Sequence, residues 1–135
     1  MSSRIRLLGA VLLLASGLAG CGDRFVPVTG TVQVDSTPVE KGTITFIPVD
    51  GKSPDRGGEI VNGAYNVRAS VGAMRVKISM PVDTGVRKKL YDAKESKEIP
   101  LMKEGLPEKY SGFDSELRFD VPLGGATKDW SLSTK

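Results

Sequence analysis

Gly72-Ala73-Met74-Arg75-Val76-Lys77-Ile78-Ser79-Met80-Pro81 carries the longest clean alternation of apolar and polar residues in the chain. Met74, Val76, Ile78 and Met80 fall on one side of a two-residue period, and Arg75, Lys77 and Ser79 on the other. That period belongs to a half-buried β-strand, dry on one face and wet on the other. Pro81, which has no backbone donor, stops it.

The same pattern recurs on both sides. Upstream, Val28, Gly30, Val32 and Val34 alternate with Thr29, Thr31 and Gln33, and Asp35-Ser36-Thr37-Pro38 forms a turn cluster. Gly42 opens a further strand with Ile44, Phe46 and Pro48 on one face. Ile60-Val61-Asn62-Gly63-Ala64-Tyr65 places Asn-Gly between apolar flanks, the composition of a type I′ hairpin, which Tyr65 and Val67 continue. Downstream, Leu117, Phe119 and Val121 alternate with Glu116, Arg118 and Asp120. Pro122-Leu123-Gly124-Gly125 turns the chain, and Trp130 and Leu132 alternate with Asp129, Ser131 and Ser133. Seven short strands with polar outer faces predict an all-β fold, a seven-stranded antiparallel β-sandwich of the prealbumin-like or Ig-like kind.

One segment breaks the rhythm. Residues 82–105 are dense in charge, with Arg87, Lys88, Lys89, Lys94, Lys97 and Lys103 among Asp92, Glu95, Glu98 and Glu104. A connection this long is functional or flexible. It is read as a solvated, mixed-charge loop in which Lys88 to Ser96 can form a helical turn or two. The functional alternative is docking on a partner, or of Arg87-Lys88-Lys89 on anionic lipid.

The N-terminus is of another kind. Arg4 and Arg6 precede an apolar run from Leu7 to Leu18, which ends in Leu18-Ala19-Gly20-Cys21. A cationic head, a short apolar stretch and small residues before a cut make a secretory signal. The cysteine directly after Leu18, Ala19 and Gly20 makes that signal a lipobox, with Cys21 as the acylated residue. Several acyl chains on one terminus give a stable anchor. The expected organisation is a lipoprotein signal peptide at 1–20, a lipid-anchored tether at 21–25, and one β-sandwich domain at 26–135 carrying the charged insert at 82–105. The domain is expected on the periplasmic side of the cell envelope, at the outer membrane rather than the inner.

Composition narrows the chemistry. Of 135 residues, 19 are Lys or Arg and 16 Asp or Glu, a net charge of +3 that falls to +1 once Arg4 and Arg6 leave with a signal. The basicity therefore argues for no nucleic-acid partner. There is no histidine, and the single cysteine is the lipobox residue, which removes Cys/His and Ser-His-Asp nucleophiles, thiolate or imidazole metal sites and disulfides. No calcium-loop motif or Gly-rich phosphate cradle appears. No catalytic residue, metal ligand or cofactor is assigned.

Three stretches resemble small lipoproteins, abundant in Planctomycetes, that carry a carboxypeptidase-regulatory-like (transthyretin-like) domain. The first is Pro27-Val28-Thr29-Gly30-Thr31-Val32 with Gly42-Thr43-Ile44-Thr45-Phe46-Ile47-Pro48, and the second is Asn62-Gly63-Ala64-Tyr65 with Val71-Gly72-Ala73-Met74-Arg75-Val76. The third, Leu106-Pro107-Glu108-Lys109-Tyr110, is similar to the family's Leu-Pro-x-Lys-Tyr motif. Val39-Glu40-Lys41, Ala73-Met74 and the long insert depart from the family pattern. The resemblance implies a seven-stranded prealbumin-like sandwich and little about activity, such domains being accessory modules in larger proteins.

Individual residues are read structurally. Leu106 and Tyr110 are expected to pack on the sandwich end, with the Tyr110 hydroxyl bonded to backbone as in a tyrosine corner. Trp130 is expected in the core. Glu40, Asp50 and Glu59 are not expected to meet as an acid/base pair. An internal Lys–Asn cross-link is rejected because the strand from Val28 to Val34 has no lysine. The function expected is a structural or binding role at the envelope without catalysis. The alternative is a module that holds an envelope glycan, peptide or partner protein through the 50–58 and 82–105 loops, and a glycan site would need an exposed aromatic among Tyr91, Phe113 and Trp130.

Overall fold

The computed structural model describes residues 24–89, 91 and 94–135. Its strands are β1 (Phe25–Val34), β2 (Thr37–Pro38), β3 (Lys41–Pro48), β4 (Arg56–Val61), β5 (Ala64–Ser70), β6 (Gly72–Ser79), β7 (Pro81–Lys89), β8 (Glu98–Glu104), β9 (Arg118–Val121), β10 (Ala126–Thr127) and β11 (Trp130–Leu132). One short helix, α1 (Glu108–Ser111), precedes β9.

The seven strands read from the sequence are β1, β3, β4, β5, β6, β9 and β11. They form the sandwich, with hydrogen-bonded order β10-β1-β5-β4-β3-β6-β9 and β11 and β2 attached to β1; six of the seven pair antiparallel, and β11 pairs parallel to β1. The sheet curls at the β4–β5 hairpin, where only Ile60↔Tyr65 and Val61↔Ala64 pair. Beyond that point the two strands face each other, and a Cβ on Gly58 would lie 2.7 Å from the Val67 side chain. Asn62 and Gly63 supply the turn with φ angles of 51° and 80°.

The alternation of β6 becomes a gradient of burial. Met74, Val76 and Ile78 are buried with Val28, Val32, Ile44, Phe46, Ile60 and Val67 between the layers. Apolar area removed from water is what holds the layers together, at about 25 cal/mol per Å². The C-terminal strands add parallel pairings, β10 at Val28↔Ala126 and β11 at Val32↔Trp130. They lie close because Gly30 has no side chain: a Cβ there would fall 1.9 Å from the Lys128 carbonyl oxygen. That carbonyl accepts the Tyr65 hydroxyl at 2.5 Å.

The insert departs from the loop expected. Residues 81–89 and 98–104 form an antiparallel two-stranded ribbon, with Pro81↔Glu104 at its root and Lys89↔Glu98 towards its tip. Residues 88 and 89 lie in its first strand, so a helical turn starting at Lys88 is not formed. Beyond its root the ribbon packs chiefly on itself.

Candidate functional site

Strand registers give the sandwich two distinct ends. Phe25 pairs with Ser70 and Pro48 with Met74, so the start of β1, the turn into β6 and the 49–55 loop share one end. Thr43 pairs with Ser79 and Val34 with Thr37, so the ribbon root, β2 and the 62–63 turn share the other. The chain's last residues lie there too, since the Thr134 backbone N–H and hydroxyl both donate to the Asp35 carboxylate. Those bonds hold the Asp35 carboxyl below its ordinary range. The 50–58 loop and the 82–105 insert therefore do not converge on one site, and residues 56–58 are already part of β4.

The ribbon's residues explain its persistence without a core. Between Asp83↔Met102 and Arg87↔Pro100, β7 holds three residues against one in β8, a bulge that adds two. Gly85 takes φ +78° there, its N–H donates to Asp83 Oδ1 at 2.8 Å, and the Thr84 hydroxyl donates to the Leu101 carbonyl at 2.7 Å. Arg87 closes the bulge on Asp83 at 3.0 Å. The Gly85 N–H and the Arg87 guanidinium hold the Asp83 carboxyl below its usual range.

An even insertion keeps the side-chain faces in phase. One face carries Val82, Val86, Ile99 and Leu101 with Lys88 and Lys103; the other carries Asp83, Arg87, Lys89, Glu98 and Met102. Val86, Ile99 and Leu101 are exposed, and so is Tyr91 near the tip.

Glu104 is the root fastening, a role not visible in the sequence. Its carboxylate accepts the Ser79 hydroxyl at 2.5 Å, the Met80 N–H at 2.9 Å and the Leu106 N–H at 3.0 Å. Partial burial raises its pKa, but these bonds and one from the Gly105 N–H outweigh it, and the carboxyl ends below its ordinary range. Beside the root runs a groove of about 470 Å³, lined by Thr37, Pro38, Glu40, Lys41 and the Met80 to Asp83 segment.

The remaining sequence-derived candidates fall as follows. Leu18, Ala19, Gly20 and Cys21 lie outside the described residues. Leu106 and Tyr110 are buried in the core as expected. The hydroxyl bonded to backbone, however, belongs to Tyr65 and not to Tyr110. Burial raises the Tyr65 phenol to about 12, and Phe46 packs beside it with ring centroids 6.3 Å apart. Lys109 lies over the Tyr110 ring at 4.9 Å. Trp130 is buried, edge-on to Phe119. Among the described residues no cluster of three or more Asp, Glu, His or Cys side chains could hold a metal ion. The exposed aromatics are Tyr91 and Phe113, at 75% and 80%.

No family model matches the chain, and no curated protein matches it. Among solved structures it is similar to a 9R-lipoxygenase from Cyanothece PCC8801, with a TM-score of 0.40 and 10% identity. That match covers 82% of this chain but only 16% of the lipoxygenase.

Proposed function

We propose that this chain is a lipid-anchored, non-catalytic domain of the cell envelope, related to the carboxypeptidase-regulatory-like lipoproteins, which offers its ribbon to an envelope partner. One observation carries the reading: the chain enters the sandwich at Phe25 on one end, and the ribbon leaves from the other. With Cys21 acylated, three residues (Gly22, Asp23 and Arg24) separate the lipid-bearing residue from β1, which keeps the Phe25 end within about 15 Å of the membrane. β1 alone, with its 10 residues, spans about 33 Å. The ribbon root is then held clear of the membrane that anchors the chain. Its exposed Val86, Ile99 and Leu101, flanked by lysines, face the periplasmic space. The absence of histidine and of any second cysteine supports the non-catalytic half of the reading.

The test uses the acylated full chain in vesicles, labelled singly at Lys88 or at Lys52. Fluorescence quenching by lipid-borne acceptors should be weak at Lys88 and strong at Lys52. Strong quenching at Lys88 overturns the orientation. Persistent fatty-acid labelling of the Cys21→Ser variant overturns the anchor.

A further inference from the structure

The outer face of the β6–β9 pair carries an electrostatic arrangement that the fold does not need. Arg75 on β6 stands directly across from Arg118 on β9, both on the wet face, and Lys77 follows Arg75 on the same face. Like charges directly opposite each other in a sheet destabilise it. Here they are held in place by carbonyls: Arg75 donates to Phe113 O at 3.0 Å, and Arg118 donates to Ser115 O at 2.5 Å and Leu117 O at 3.0 Å. Carbonyls position the guanidiniums but do not neutralise them. Among the described residues no carboxylate forms an ion pair with Arg75, Lys77 or Arg118, although Asp114, Glu116 and Asp120 are near in sequence; the ion pair present, Arg87 with Asp83, is on the ribbon.

The loop that positions the cations also positions a platform. Phe113 is 80% exposed, and the Lys77 ammonium sits 4.6 Å from its ring centroid. A phenyl ring exposed to this degree adds little burial to the sandwich, yet it is pinned beside three cations that make no ion pair among the described residues. Next to Arg118 lies a depression of about 350 Å³ that Ala73, Met74, Phe119 and Asp120 complete. Small-ligand sites combine an apolar surface with a few convergent polar groups in this way.

We propose that Phe113, Lys77, Arg75 and Arg118 form a binding site for an acidic saccharide. The C–H face of a pyranose stacks on the Phe113 ring, and its carboxylate takes the accessible donors of Arg75 and Arg118 that the loop carbonyls leave free, Arg75 Nε being buried. A guanidinium fork matches a carboxylate bidentately, while the Lys77 ammonium adds a point charge. The site lies on the side wall and does not depend on the ribbon or on the acylation of Cys21.

The experiment is a titration of the full chain, kept in neutral detergent, with tetragalacturonate, followed by calorimetry. Tetragalacturonate should bind, and the uncharged galactose tetramer should bind at least about tenfold more weakly. Phe113→Ala should weaken binding about tenfold and Lys77→Gln about threefold, whereas Lys88→Gln on the ribbon should change nothing. Both site variants alter exposed or half-exposed side chains, and their melting midpoints establish that they fold. The proposal is overturned if tetragalacturonate does not bind, if the neutral tetramer binds equally, or if Lys88→Gln weakens binding as much as Lys77→Gln. Displacement of tetragalacturonate by phosphatidylglycerol vesicles, with no effect of Phe113→Ala, would instead make this wall a lipid contact and also overturns it.

Discussion

β6 and β7 follow one another in the chain with only Met80 between them, and both are regular strands, yet they are held by different forces. In β6 every second residue is buried, and Ile78 has no exposed surface at all. In β7 no residue is fully buried. The sandwich is held by apolar area removed from water, the ribbon by a chain of local hydrogen bonds: Asp83 to Gly85, Thr84 to Leu101, and Glu104 to the root. An isolated two-stranded ribbon is marginal in water. The lesson is that strand geometry is no guide to local stability; what each side chain faces is.

The largest effect that separates the two regions is a truncation in each. Ile78→Ala leaves a cavity in the core and should cost about 2–5 kcal/mol by urea denaturation. Leu101→Ala on the ribbon, where the side chain is 44% exposed, should cost less than about 0.5 kcal/mol. Comparable losses at the two positions would mean that the ribbon folds down on the sandwich in solution.

The same contrast explains what could be read in advance. Strands over the core announce themselves because burial forces a two-residue period, so Val28 to Val34, Ile44 to Pro48, Tyr65 to Val67 and Met74 to Ile78 were legible. The ribbon has no dry side, so selection for alternation is weak, and charges sit on both faces. Its glycine and its Thr-Gly pair look like loop chemistry, which locally they are. The tyrosine with a backbone-bonded hydroxyl was placed at Tyr110 from a motif, whereas the Tyr65 alternation with Val67 and Ala69 already pointed Tyr65 inward. What no pattern contained was the approach of Lys128 to Gly30, a contact between residues 98 positions apart. The site on the outer wall was half legible: Arg75 and Lys77 were correctly placed on the wet face, but only the fold brings Arg118 and Phe113 beside them.

Glu104 sits at the junction and should show an intermediate effect. Glu104→Gln keeps one acceptor oxygen and removes the charge that strengthens three bonds, so it should cost about 1 kcal/mol, solvent reducing the figure at this partly exposed site. The loss should be local, seen as faster amide exchange at Met80 and Leu106 with Val76 unaffected. Acid should act in the same direction. The folded carboxyl titrates below its ordinary value of 4.5, so its contribution is fully present above that value and is lost as pH falls through the depressed folded pKa. Exchange protection at Met80 and Leu106, corrected for intrinsic rates, should hold from pH 8 to about 5 and fail only in stronger acid. Failure between pH 6 and 8 would assign the fastening to another group.

The smallest expected effect comes from the largest deletion. Val82 pairs with Lys103, so an Asn-Gly turn joining these two residues would close the ribbon one step above its root. A two-residue type I′ turn suits an antiparallel pair of this twist. The deletion removes the bulge, the Arg87–Asp83 pair and the tip, while retaining the partly buried Val82 side chain and the Glu104 fastening. An exposed ion pair contributes little, and closing entropy varies slowly with loop length. The core loses no buried side chain. The melting midpoint should therefore shift by less than about 3 °C, since 1 kcal/mol corresponds to about 4–8 °C in a domain of this size. Tetragalacturonate binding on the outer wall should also survive, because Phe113, Lys77, Arg75 and Arg118 are untouched. A drop of 10 °C or more would show that the ribbon braces the sandwich, and the division between a region that folds and a region that reaches would not hold.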